Sequence, residues 1–314
     1  MNLCPNCAAE AIPGAKFCHR CGDPIREKTK PCPACKEQSP LASVFCHHCG
    51  FHFEGKQSQQ QLYEPVYVLD FNESDLTEQV KALFFRSLRA RIASEHEISK
   101  YSEYVERFYQ SRFREIYGVR AIQIARDVKL QWERFGVEAL RDIDHKIDQD
   151  FEGLLDFFCI QYCPDLNGVI LPTAILKYEH ATLDKTDLGQ MIADFLDFEH
   201  EEEPFFFNFI TMPEQLLANA CKQYLFADRK EKVFFIGDLS LKGNCKEGFA
   251  MTDRAIYWRA PFDKARRVAY ETLKTVRREK DWITIDGHFF TSNPGMNLKL
   301  FKLLKKLRSW RTIS

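Results

Sequence analysis

The chain has 314 residues, of which 45% are hydrophobic and 28% charged, and a formal net charge of −1. That balance excludes a disordered or collagen-like chain and suits a soluble protein of two or three domains with room for sizeable cores. No apolar run approaches the roughly 20 residues of a membrane span, and Met1-Asn2-Leu3-Cys4 does not begin a basic-then-apolar leader, so the expectation is a cytoplasmic protein without a transmembrane segment.

The small net charge hides a division. Residues 1–60 carry 7 Lys/Arg against 5 Asp/Glu, residues 61–228 carry 17 against 31, and residues 229–314 carry 20 against 9. An acidic middle and a basic end predict separate domains that meet different partners or dock on each other.

Eight of the 12 cysteines lie in the first 49 residues as four Cys-x-x-Cys pairs: Cys4/Cys7, Cys18/Cys21, Cys32/Cys35 and Cys46/Cys49. Even spacing leaves the pairing open, but the flanks do not. Cys4-Pro5-Asn6-Cys7 matches Cys32-Pro33-Ala34-Cys35, and Phe17-Cys18-His19-Arg20-Cys21-Gly22 matches Phe45-Cys46-His47-His48-Cys49-Gly50, a repeat of 28 residues. Each unit therefore closes on its own ion, with Cys4, Cys7, Cys18 and Cys21 at one site and Cys32, Cys35, Cys46 and Cys49 at the other. Two thiolates on one tight turn fill two corners of a tetrahedron, and the second knuckle fills the rest. A closed four-sulfur site has no open position, so two structural zinc ions per chain are expected and no catalytic one. Disulfides are disfavoured in a chain without a leader. His19, His47, His48 and His52 are expected to face solvent, and Gly22 and Gly50 to leave their turns with positive φ.

These units resemble the tandem zinc ribbons at the N-terminus of many bacterial and archaeal multidomain proteins. The resemblance covers residues 1–53, as ribbons 1–27 and 28–53, and implies binding to proteins in some settings and to nucleic acids in others.

A polar segment from Glu54 to Gln61 opens a flexible linker, 54–73. An α-helical domain is expected over 74–228. Ser74 or Asp75 caps its first helix, whose apolar positions are Leu76, Val80, Leu83, Phe84, Leu88 and Ile92. A second segment carries Tyr101, Tyr104, Val105, Phe108 and Phe113, and a third begins after Gly118. Leu154–Tyr162 reads as a buried helix ended by Pro164 and Gly168, with further helices near 172–181, 186–200 and 213–227. Asp142, Asp144, Asp148, Asp150 and Asp156 form an acidic stretch without the glycine and distal glutamate of a calcium loop. Cys159 and Cys163 read as small core residues.

From 229 to 314 the period changes to short β-rich runs. Asp286-Gly287 signals a hairpin, and a closing amphipathic helix is capped by Asn293, with Leu300, Leu303, Leu304, Leu307 and Trp310 on its apolar face. The stretch Gly248-Phe249-Ala250-Met251-Thr252-Asp253-Arg254-Ala255-Ile256-Tyr257-Trp258 and the order of strands before one helix resemble bacterial pleckstrin-homology-like domains. That resemblance implies a non-catalytic binding platform, a β-barrel capped by the helix. The fold class expected for the whole chain is thus multidomain α+β.

Two basic sets are the candidate binding residues outside the ribbons. Lys302, Lys305 and Lys306 lie on the last helix, where the leucines are expected to plug the barrel and leave the lysines in solvent. Arg254, Arg259, Arg266 and Arg267 lie on strands and turns. No phosphate loop, nucleophile elbow or dinucleotide fingerprint occurs. The function expected is therefore a non-catalytic zinc-ribbon adaptor or scaffold that binds partner proteins, with an anionic membrane surface as a further ligand. The alternatives are a nucleic-acid-binding protein and an enzyme of unfamiliar type in the helical domain.

Overall fold

A computed structural model describes residues 7, 9, 18–22, 29–32, 35–40, 43, 48, 65–72, 75–279 and 281–311. By compactness the chain divides into Met1–Glu64 and Pro65–Ser314, and helices and sheets are mixed as expected. Cys4, Cys46, Cys49, Gly50, His47, His52 and the polar segment 54–61 lie outside the described residues.

In the first unit, β1 (Thr29–Pro31) and β2 (Gln38–Pro40) pair antiparallel, with Lys30 opposite Ser39. The turn between them carries Cys32 and Cys35. It is closed by Cys32 N–H donating to Glu37 O at 2.8 Å and Lys36 N–H donating to Cys32 O at 2.8 Å.

The second unit begins with an extended segment that is already packed. The N–H groups of Val66 and Tyr67 donate to the Asp144 carboxylate at 2.6 and 3.0 Å, and the Tyr67 hydroxyl donates to Asp148 at 2.5 Å. Part of the acidic stretch thus serves to anchor Val66 and Tyr67. Then come α1 (Leu76–Glu95), α2 (Tyr101–Gln110), α3 (Phe113–Phe135) and α4 (Leu140–Tyr162). Asp75 caps α1 by accepting from Glu78 N–H at 3.1 Å. Gly118 does not separate two elements; it sits inside α3. The four helices bury one aromatic core in which Phe84 meets Phe108, Phe113, Tyr117 and Phe151.

A 3-10 turn (Thr173–Tyr178), α5 (Leu188–Leu196), β3 (Phe205–Phe206) and α6 (Glu214–Gln223) follow. Their apolar side chains leave the helical core and join the sheets: Ile175, Tyr178, Met191 and Phe195 pack with Phe249, Ile256 and Trp258. Strands β4 (Val233–Asp238), β5 (Gly248–Thr252), β6 (Ala255–Arg259) and β7 (Arg266–Ala269) form an antiparallel meander with β3 on its edge. The period of two divides β5 and β6 cleanly. Phe249, Met251, Ile256 and Trp258 enter one core, while Ala250, Ala255 and Tyr257 enter another that α6 covers.

The Thr252-Asp253-Arg254-Ala255 turn owes its residue types to hydrogen bonds. The Thr252 hydroxyl oxygen accepts the N–H groups of Arg254 and Ala255 at 3.1 and 3.0 Å, and Asp253 accepts Lys232 N–H at 2.9 Å. β8 (Val276–Arg278), β9 (Ile283–Ile285) and β10 (His288–Phe290) make a second sheet. Asp286 and Gly287 join β9 to β10 with φ of 49° and 79°, the paired positive values that an Asp-Gly hairpin turn needs.

The expected closed barrel is not formed. Among the described residues no strand pairing joins the five-stranded sheet to the three-stranded one. The helix α7 (Pro294–Arg311) fills the gap instead, burying Met296, Leu300, Leu303, Leu304 and Leu307 between the sheets and α5. Asn293 caps it, accepting Met296 N–H at 2.7 Å.

Candidate metal centre

Cys18 and Cys21 sit on a tight turn closed by Gly22 N–H donating to Cys18 O at 2.9 Å, with Gly22 at φ 77° as the chain leaves. Lys36, one residue after Cys35, takes the same left-handed geometry at φ 65°. Both described knuckles therefore exit through a positive φ, one with glycine and one without. Cys18 and Cys32 are buried and Cys21 is exposed.

The sulfurs of Cys7, Cys18 and Cys21 all lie within 4.8 Å of one another, and Cys7 Sγ is 3.6 Å from Cys18 Sγ. Sulfurs on a tetrahedral zinc, each about 2.3 Å from the ion, stand about 3.8 Å apart. The donor set fits. Arg20 N–H points at Cys18 Sγ from 3.4 Å; that contact, with the neighbouring Cys21 N–H, draws the Cys18 pKa down to about 6, and the thiolate is the species that binds metal. Cys7 comes from the first knuckle and Cys18 and Cys21 from the second, the grouping that the repeat predicts. His19 and His48 are exposed and stand outside the cluster.

Residues 4–50 match the double zinc ribbon family. The N-terminal segment thus joins a match to the double zinc ribbon family with a cluster of three thiols. No curated protein and no solved structure matches the sequence. The match leaves residues 51–314 to be read from their own geometry, and among the described residues no helix is long and apolar enough to cross a membrane.

Three of the four arginines singled out on the strands and turns of the second unit meet internal acceptors. Arg259 donates to Gln223 and, at 3.2 Å, to Asp263 O. Arg266 pairs with Asp263 at 3.4 Å, and Arg267 donates to the Tyr257 hydroxyl at 2.8 Å and pairs with Glu231 at 3.4 Å. Arg254 stands exposed on the β5–β6 turn, at the opposite end of the sheet from Arg259 and Arg266. These side chains do not form one patch.

The lysines of α7 are not left in solvent. Lys299 is buried against Glu201 at 2.7 Å. Lys302, only 3% exposed, reaches Glu95, Glu152 and Asp156 at 3.0, 3.2 and 2.7 Å. Arg91 meets the same three carboxylates at 3.2, 2.5 and 2.5 Å, and Lys305 meets Glu152 at 2.7 Å. Burial works against the Glu152 carboxylate, yet Arg91, Lys302 and Lys305 outweigh it and hold its pKa well below the usual range. Sequence reading missed Arg91 and Glu95. The signal was present, because both lie on the inward stripe of α1 with Phe84, Leu88 and Ile92, where a charge needs a buried partner.

Proposed function

We propose that the protein is a non-catalytic zinc-ribbon adaptor, with two structural zinc ions held by Cys4, Cys7, Cys18 and Cys21 and by Cys32, Cys35, Cys46 and Cys49. The observation that carries this reading is the clustered thiols of Cys7, Cys18 and Cys21 inside a matched double ribbon. A four-thiolate zinc offers no site for substrate, so the ribbons act by presenting a surface to a partner protein. The C-terminal region reads as a pleckstrin-homology-like platform. Its support is the order of elements, β4 to β7 in one meander, β8 to β10 in a second, then α7. The adaptor reading is preferred to a nucleic-acid grip because Arg259, Arg266, Arg267, Lys302 and Lys305 are engaged with internal acceptors.

The test is affinity capture from the native host with wild type and with Cys4→Ser/Cys32→Ser. A partner retained by wild type and lost by the variant is expected. Equal capture by both, or tight nucleic-acid binding that collapses with salt, sinks the reading.

A further inference from the structure

We propose that the cleft between α4 and α7 binds a small organic anion that carries an aromatic ring. The idea goes beyond the adaptor reading and concerns a surface far from the cysteines in sequence. The cleft has a volume of about 420 Å³, within the range of pockets that hold small molecules. One wall is α4, another is the 3-10 turn with Glu179–Thr182, and the third is α7. Ile175, Tyr178, Phe195 and Trp310 give it an apolar, largely aromatic side.

The charges decide the class of ligand. The carboxylates of Glu152 and Asp156 are matched by Arg91, Lys302 and Lys305. Glu179 pairs with Arg120 at 3.1 Å, Lys146 is shared between Asp150 at 3.0 Å and Asp127 at 3.3 Å, and Asp148 accepts from the neutral Tyr67 hydroxyl and keeps its charge. Two cations remain. Lys306 donates to a neutral acceptor, Glu179 O, at 2.9 Å, and Arg308 is half-buried with no ion pair or hydrogen bond among the described residues. Burial lowers the Lys306 pKa against the opposing pull of Glu179, Asp156 and Glu152, as befits an ammonium that has lost water without gaining a carboxylate in direct contact. An incoming anion supplies what both cations lack, and the aromatic wall takes its ring. Residues two apart on a helix do not face each other, so Lys306 and Arg308 approach from different sides and favour an elongated ligand. Because α4 belongs to the helical core and α7 to the sheet core, such a ligand also ties the two together.

The experiment uses the full zinc-loaded chain, titrated calorimetrically with adenosine monophosphate, indole-3-acetate and 4-hydroxybenzoate. Adenosine and inorganic phosphate serve as ring-only and charge-only controls. At least one aromatic anion is expected to saturate a single site and to raise the melting temperature of the second unit. Its uncharged or ringless counterpart should bind about tenfold more weakly, the size of one charge-assisted hydrogen bond. Arg308→Gln has no internal bond to lose, so it should weaken binding by about tenfold at an unchanged melting temperature, and Lys306→Met should weaken it likewise. Saturation by none of the three anions overturns the proposal. So does equal binding of the neutral analogue, or wild-type affinity in both variants.

Discussion

His96 shows how much one buried side chain can encode. It ends α1 with both ring nitrogens buried and unpartnered, its ring stacked 5.9 Å from that of Tyr104. Burial, reinforced by Lys302, Arg91 and Arg278 and only partly offset by Asp156, pushes its pKa down to about 3 from 6.5. The unfolded chain therefore takes up a proton near pH 6.5 that the folded chain refuses until about pH 3. Stability is full above pH 6.5 and falls below it, by about 1.4 kcal/mol per pH unit. Glu152 adds its own loss only once pH nears the ordinary carboxylate value of 4.5. Urea unfolding between pH 6.5 and 5 should thus show a slope in wild type and a flat line in His96→Phe; equal slopes would remove His96 from the account. Lys302→Met belongs to the same neighbourhood and leaves Glu95, Glu152 and Asp156 with one cation fewer. Breaking a buried ion network this way costs about 3–5 kcal/mol, measurable as a lowered urea midpoint at constant slope.

At the level of elements, much was legible from the chain. The Asp75 cap, the Asp286-Gly287 hairpin and the Asn293 cap are local chemistry, fixed by the residues themselves. The same holds for alternation along β5 and β6. What the residues did not announce was long-range. The segment 172–225 reads as more of the helical domain, yet Met191 and Phe195 of α5 and Tyr224, just after α6, pack on the sheets. Periodicity says that a face is buried and is silent about the partner. The lysines of α7 misled for a related reason. A basic stripe opposite leucines usually faces solvent, but here acidic residues 146–153 positions away in sequence are waiting for it. Asn293→Ala tests the local part, since it removes the cap and also the bonds from Asn293 Nδ2 to Glu201 and Glu203. A loss of about 1 kcal/mol or somewhat more is expected in thermal unfolding, and an unchanged midpoint would show that the cap is dispensable.

For the molecule as a whole, the cysteines and the hydrophobic cores make separate claims on stability. Residues 1–53 have the thiols and few large apolar side chains, so metal is expected to supply their folding energy; the second unit has three apolar cores of its own. Chelation is expected to remove about two zinc ions per chain and to erase ordered signals from residues 1–53, leaving the melting transition of residues 65–314 in place. Collapse of both together would show that the ribbons are part of the larger fold. The candidate metal centre was readable from sequence because ligand spacing is local. The cleft beside α7 was not, because its walls come from three stretches that only the fold assembles.

The ion network around Lys302 also sets an order of events during synthesis. Arg91, Glu95, Glu152 and Asp156 leave the ribosome long before residue 302, and until then Arg91 faces more carboxylates than it can neutralise. Glu95, Glu152 and Asp156 thus have one guanidinium between them until α7 arrives, and the leucines that separate the two sheets emerge with the same helix that supplies Lys302 and Lys305. A ribosome stalled before residue 294 would display a loosened, acidic intermediate. Completion of α7 would close charge and core in a single stroke.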